Sequence, residues 1–301
     1  VTTISIIDHG GLHQAHVFDG YTPKKGVDYY EDIVKYDYTE LSGIDYIVHC
    51  AAPTASKFFV EHPVETFDII YSGTKVLLDY AKENQVKSFV YLSSLEVYGE
   101  VHDDSAPISE DYQGYLDPLS VRSSYPMAKR AVENLCCLYS SEYRIPVKIA
   151  RLTQTTGAGI ANEDNRVIAQ FSRLAAKNQD IVLHTTGDAA RPYCYITDAI
   201  SAILYILLKG ASGNAYNVAN EETYMSAKGM AEYLRDNFNS SIQVRIELND
   251  NMGYAPTTKI NLSANKLRSL GWKAGMDKKE IFKRLINYLI NIYFIYKRAF
   301  I

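Results

Sequence analysis

The sequence predicts an α/β chain: a doubly wound parallel sheet with a smaller C-terminal lobe. Three observations carry this. Short β-branched runs that are apolar throughout read as strands buried on both faces. They alternate with helical patterns, which implies right-handed βαβ units and helices on both sides of the sheet. No linker rich in Pro, Gly or Ser interrupts the 301 residues, so the lobe is expected to fold against the sheet domain.

Val1–Asp8 is β-branched and ends on an acid, as a parallel strand does. Gly10, Gly11, Gly20, Pro23 and Gly26 mark His9–Glu31 as a loop. Ile33–Tyr36 is a short strand candidate followed by Asp37, and Asp45–Cys50 is a buried strand running into Ala51 and Ala52. Phe67–Asn84 reads as a helix, Ser88–Ser93 as a buried strand, the stretch after Tyr125 as a helix and Val147–Leu152 as a strand. Beyond Gly157 the pattern loosens to a helix (Val167–Lys177), a strand (Ile181–His184), a helix (Thr197–Leu208), the run Ala215–Ala219 and a mixed region to Asn291.

Composition removes several function classes. A net charge of −4 without a basic stripe gives nucleic acid no footprint. The four cysteines, Cys50, Cys136, Cys137 and Cys194, lack paired metal spacing, so no metal is expected and free thiols in a reducing cytoplasm are. No apolar stretch reaches membrane-spanning length.

The residues with chemical promise are Tyr125 and Lys129. Four apart at the start of a helix, they share one face, and a neighbouring cation favours a phenolate. Such a pair can take a proton from a sugar or alcohol hydroxyl. With 25 tyrosines in the chain, Tyr-x-x-x-Lys also arises by chance. What lifts it is a series of polar or small groups expected beyond the carboxyl ends of the strands, where such sheets bind ligands: Asp8, Asp37, Ala51-Ala52, Ser94 and Gln154.

Further stretches add to these: His49-Cys50-Ala51-Ala52, Gly73-Thr74, Ser93-Ser94-Leu95-Glu96-Val97-Tyr98-Gly99, Tyr125-Pro-Met-Ala-Lys129-Arg130, Arg191-Pro-Tyr-Cys-Tyr195-Ile-Thr-Asp198, Ala215-Tyr-Asn-Val-Ala219 and Ser269-Leu-Gly-Trp272. In this order, over nearly the whole chain, they resemble the extended short-chain dehydrogenases/reductases of the NAD-dependent nucleotide-sugar epimerase/dehydratase family. The resemblance implies a Rossmann-type fold, NAD as cofactor and a nucleotide-diphosphate sugar as substrate. It implies that Tyr125 deprotonates the sugar 4-hydroxyl, with Ser94 sharing that hydrogen bond. Lys129 would hold the nicotinamide ribose and lower the tyrosine pKa. Asp37 falls at the adenine, Ala51 and Ala52 line the cofactor, and Gln154 and Arg191 fall at the diphosphate. Asp198 reads as a cap of the helix it opens, and Tyr216 and Asn217 as packing and turn residues.

Departures from the family carry information too. It begins with a strand and a glycine-rich turn that receives the cofactor pyrophosphate. His9-Gly10-Gly11 is no substitute, and Val1–Asp8 fits the family's second strand better, so that N-terminal βα unit is read as absent from this chain. Asp8 then falls where an acid holds the adenosine ribose, favouring NAD over NADP; a plain loop acid is the alternative. Ile70 stands where the family often has Asn.

The family divides on the fate of the 4-keto sugar. Its 4,6-dehydratases carry an Asp-Glu pair after the hydroxyl residue; here the pair is Leu95-Glu96, and leucine donates no proton. Ser94-Leu95-Glu96 and Asp117-Pro118-Leu-Ser-Val-Arg122-Ser-Ser-Tyr125, with Lys129-Arg130 and Glu133, are similar to UDP-glucuronate decarboxylases; that resemblance puts Glu96 in the catalytic set and Arg122 at the active-site rim, an ordinary surface arginine being the alternative. A sugar 4-epimerase stands close behind. A NAD(P)H-dependent reductase and a non-catalytic NAD-binding scaffold are the alternatives.

The resemblance divides the chain into a NAD-binding domain (residues 1–156, with 193–219 returning to it), a substrate-binding lobe (157–192 and 220–285) and an apolar tail (286–301). Packing is expected of the tail rather than contact with a membrane surface. It also implies a homodimer that pairs the Tyr125 helix and its neighbour.

Overall fold

The computed structural model describes residues 4–7, 27–30, 33–101, 103–161, 164–249 and 258–299, the side chains of 4–7, 27–30, 40 and 292–299 excepted. Strands β1 (Ile4–Ile7) and β2 (Val27–Tyr30) pair in parallel as a sheet of their own. Strand β3 (Tyr46–His49) leads into helices α1 (Ser56–Glu61) and α2 (Pro63–Asn84), then β4 (Ser88–Ser94), α3 (Ser124–Tyr143) and β5 (Val147–Leu152). Next come β6 (Gln154–Thr156), α4 (Val167–Ala176), β7 (Ile181–Leu183), β8 (Ala190–Tyr195), α5 (Ile196–Lys209) and β9 (Ala215–Val218). Strand β10 (Asn220–Ser226), α6 (Ala227–Phe238), β11 (Val244–Ile246), α7 (Asn265–Ser269) and α8 (Lys278–Ala299) complete the order.

The chain forms two compact units. The first comprises Val1–Gly99, Gln113–Arg151 and Ile203–Tyr216. Its main sheet has the order β3-β4-β5-β9, with β3 and β4 parallel. The first four residues of β4 are buried without a break, because helices cover the strand rather than water. Its core gathers Phe89, Tyr91, Val147 and Ile149 with Ile70, Leu78, Ala128, Val132 and Cys136 from α2 and α3. Ile70 is fully buried there. Among the described residues β3 is an edge strand, and its Tyr46 and Val48 stand 49% and 40% exposed.

The second unit comprises Glu100–Tyr112, Leu152–Ala202 and Asn217–Ile301. In it β8 pairs with β6 in parallel and with β10 antiparallel, while β11 pairs with β7 in parallel. Its core packs Ile168 and Phe171 of α4, Met230 and Leu234 of α6, and Phe282, Leu285, Ile286 and Leu289 of α8. The apolar C-terminal stretch is thus helical, and its described start is core; no described helix is long and apolar enough to cross a membrane.

Three expectations need correction. Ile33–Tyr36 forms a turn with Ile33 in the core, and the strand lies earlier, at β2, inside the stretch read as loop. The missed helix α1 contributes Phe59 to the core. Asp198 lies within the first turn of α5, not at its cap, and accepts hydrogen bonds from the Gly275 and Met276 amides, each at 3.0 Å. Asp8 and His9-Gly10-Gly11 lie outside the described residues.

Candidate active site

The first unit brings Ser94, Glu96, Tyr125 and Lys129 together. Ser94 ends β4, and its hydroxyl accepts from the Glu96 amide (3.2 Å), which turns the chain into the 3₁₀ segment Leu95–Tyr98. Gly99 ends that segment at φ +66°, where a Cβ would run into the Tyr115 carbonyl. On α3 the buried face repeats as Tyr125, Ala128, Lys129, Val132, Glu133 and Cys136, so the helix carries polar groups inward at four-residue steps.

The Ser94 hydroxyl lies beside the Tyr125 phenol and lowers its pKa, and the Tyr125 ring stacks on Phe59 of α1 at 4.2 Å and 8°. Arg122 Nη1 meets Glu96 Oε2 at 3.3 Å, each side chain 30% exposed, and lies over the Phe59 ring. Lys129 Nζ is buried, donates to the Leu92 carbonyl (2.8 Å) and sits 4.7 Å from the Tyr91 ring centroid and 5.6 Å from that of Tyr125.

The electrostatics reverse one expectation. Burial pushes the Tyr125 phenol above its ordinary value, the Ser94 hydroxyl pulls it down, Glu96 raises it and Arg122 lowers it. Burial also pushes Lys129 down to about 7, against the pull of Glu133. Lys129 is not among the groups that lower the phenol: its ammonium is turned to the Leu92 carbonyl and the Tyr91 ring.

The other expected residues fall elsewhere. Ala51 and Ala52 follow β3, half-buried against the core of the first unit. Asp37 is exposed and caps a 3₁₀ turn, accepting from Thr39 N (3.0 Å) and Oγ1 (2.6 Å), which holds its carboxyl low. In the second unit Gln154 lies on β6 and Arg191 on β8, both half-buried, with Gln154 paired to Tyr193. The Gln154 Oε1 is buried without a hydrogen-bond partner. Among the described residues no cluster of His, Cys, Asp and Glu could hold a metal.

Behind the site lies a buried network; the sequence offers Arg130 and Glu133 but not the joining of Glu133 to Arg151 and Tyr98. Arg151 of β5 grips Glu133 through Nε (3.0 and 3.2 Å) and Nη2 (2.8 Å), and its Nη1 donates to the Tyr98 hydroxyl at 3.0 Å. Arg130 fastens the same segment, donating to the carbonyls of Val97 (2.6 Å) and Gly114 (2.7 Å). The available signal was an arginine inside a strand read as buried, since a buried charge needs a partner.

The family model for the NAD dependent epimerase/dehydratase family matches residues 26–219. The chain belongs to this family. It is 29% identical over 219 residues to UDP-glucuronic acid decarboxylase 5 of Arabidopsis thaliana, covering 71% of this chain and 62% of that protein. It is likewise 29% identical over 257 residues to human dTDP-D-glucose 4,6-dehydratase, covering 83% and 69%. The chain thus spans less than two thirds of the decarboxylase's length. Among solved structures, UDP-glucuronic acid 4-epimerase from Bacillus cereus in complex with NAD superimposes with a TM-score of 0.77 at 21% identity, over 97% of this chain and 91% of that one. That likeness is one of fold.

The residues present fit the sugar-proximal end of a dinucleotide. An ammonium carries three donors, and among the described residues Lys129 commits one of them, to Leu92. Buried donors without partners are costly, and a ribose diol supplies acceptors at that spot.

Proposed function

We propose that the chain modifies a nucleotide-diphosphate sugar through a 4-keto form, and that the sugar is a glucuronate which loses its carboxylate. The observation that carries this is the Ser94 hydroxyl set beside the Tyr125 phenol, with Lys129 one turn along and Leu95 where a dehydratase has an acid.

Lys129 and Tyr125 would hold the nicotinamide ribose, Ala51-Ala52 the backbone flank of NAD and Asp37 its adenine. Bound NAD supplies the hydride acceptor at the sugar C4. Tyr125, as phenolate, takes the proton from the C4 hydroxyl while the Ser94 hydroxyl holds the same oxygen. Decarboxylation sends the electron pair of the C5–carboxylate bond into the C4 carbonyl, so the Ser94 and Tyr125 hydroxyls stabilise the oxygen on which charge grows; C5 would then take a proton from solvent, and C4 would regain its hydride and the Tyr125 proton to give the pentose. Glu96 completes the set, its carboxylate anchored by Arg122. Arg191 and Gln154 are assigned the diphosphate, for which a guanidinium fork is suited. Leu95 is buried and offers no proton, which argues against 4,6-dehydration.

We assign the chain to a homodimer in the cytoplasm. Supporting the dimer is an apolar groove of about 880 Å³ between the starts of α2 and α3, lined by Val64, Phe67, Tyr71, Val121 and Met127 among others. Val64, Val121 and Phe67 along it are 81%, 56% and 38% exposed, and adjoining exposed apolar residues mark interaction surfaces. Four free thiols suit a reducing compartment. The test is to give the protein NAD with UDP-glucuronate and resolve the products: carbon dioxide with a UDP-pentose supports the reading, whereas UDP-galacturonate alone would identify a 4-epimerase.

A further inference from the structure

We propose that Glu133, held by Arg151, is a positioning residue that keeps Lys129 protonated and locks the Ser94–Tyr98 segment onto the helix carrying Tyr125. A lysine buried to 3% exposure and bonded, among the described residues, to the Leu92 carbonyl alone has little reason to keep its proton. The neighbours facing it are Tyr125, Glu133 and Cys136 from α3, His49 and Cys50 from the end of β3, and Tyr91 from β4. His49 is pushed down to about 3, and Cys50 up to about 11. The Cys136 thiol and the Tyr91 and Tyr125 phenols are likewise raised by burial. Near neutrality these five are uncharged, which leaves Glu133 as the carboxylate within this set.

Glu133 follows Lys129 by four residues, one helical turn along the same buried face. Its carboxylate cannot swing away, because Arg151 holds both oxygens from β5. The fourth member is Tyr98, bonded to Arg151 Nη1 at 3.0 Å, with the guanidinium 4.9 Å from its ring centroid. Tyr98 closes the 3₁₀ segment that Ser94 opens and Glu96 belongs to. Glu133, fastened through Arg151 to Tyr98, lies one turn along α3 from Lys129, so one buried carboxylate bears on both the amine's charge and the segment that Ser94 opens. The part Lys129 plays in turnover rests on the function proposed above; its titration does not.

The test reads that titration directly. The protein is labelled with ¹³Cε-lysine, and the Lys129 signal is identified by its loss in Lys129→Arg and followed by NMR from pH 5 to 10. The wild-type midpoint is expected near 7, and Glu133→Gln is expected to lower it by at least about one unit. A midpoint unmoved in Glu133→Gln overturns the proposal. Should that variant fail to fold, Glu133→Asp keeps a carboxylate for Arg151 but withdraws it by one methylene. Its midpoint is then expected to fall by a smaller amount, and an unchanged value again overturns the assignment. In variants that keep turnover, the acid limb of kcat/KM is expected to move with the NMR midpoint. If the protein shows no activity on UDP-glucuronate while the midpoint shifts, the functional reading fails and this inference stands.

Discussion

Tyr125 lies between two contacts of different kinds, a hydroxyl at a strand end and an aromatic ring stacked on its face. Removing only its oxygen in Tyr125→Phe should cut kcat by about 10²–10⁴-fold, with an unchanged far-ultraviolet circular dichroism spectrum. Because burial raises the phenol, its ionised fraction is small near neutrality and grows tenfold for each pH unit. The Tyr125-controlled limb of kcat/KM should therefore climb as pH rises through and above neutrality. Arg122 lowers the phenol and pairs with Glu96, which raises it. Arg122→Met should accordingly displace that limb to higher pH; no displacement would remove Arg122 from the site's electrostatics. Ser94, Tyr125 and Lys129 were legible because helical spacing and strand ends are local properties. The Phe59 stack and the Arg122–Glu96 pair were not, since α1 and the segment before α3 approach them only in the tertiary fold.

Helix α3 bears the cost of that chemistry by burying an amine. The folded-state midpoint of Lys129, about 7, lies below its ordinary 10.5. Between those values the unfolded chain binds the extra proton, so this group makes the protein more stable as pH rises from 7 towards 10.5. Below 7 the folded lysine is charged and carries its full burial cost. Lys129→Met should then stabilise the protein most at pH 6, by an amount on the order of a few kcal/mol at about 1.4 kcal/mol per unit. The advantage should shrink by pH 10; urea unfolding at both values measures it. Gly99→Ala forces a left-handed φ on alanine and a clash with the Tyr115 carbonyl, and should cost about 1–3 kcal/mol. Helices α2 and α3 and strands β4 and β5 were readable from period and apolar runs. The turn at Ile33–Tyr36 was not, because Ile33 is buried by tertiary contact rather than by strand pairing.

At the scale of the whole molecule, the order of motifs was enough to assign the family, and its match over residues 26–219 agrees. The second unit was less legible: β7, β8, β10 and β11 pair across long sequence separations, and Asp198 clamps a loop some 77 residues away. Exposed apolar residues along the groove at α2 and α3 place a dimer prediction at this scale. Phe67→Asp should yield a monomer by sedimentation velocity, whereas a wild-type protein already monomeric at micromolar concentration would contradict the assignment. The most direct measurement is turnover of UDP-glucuronate with NAD by wild-type protein and by Tyr125→Phe, followed as carbon dioxide and nucleotide product. The account predicts release of carbon dioxide with a UDP-pentose from the wild type and its loss in the variant. Equal turnover by the two proteins would contradict it.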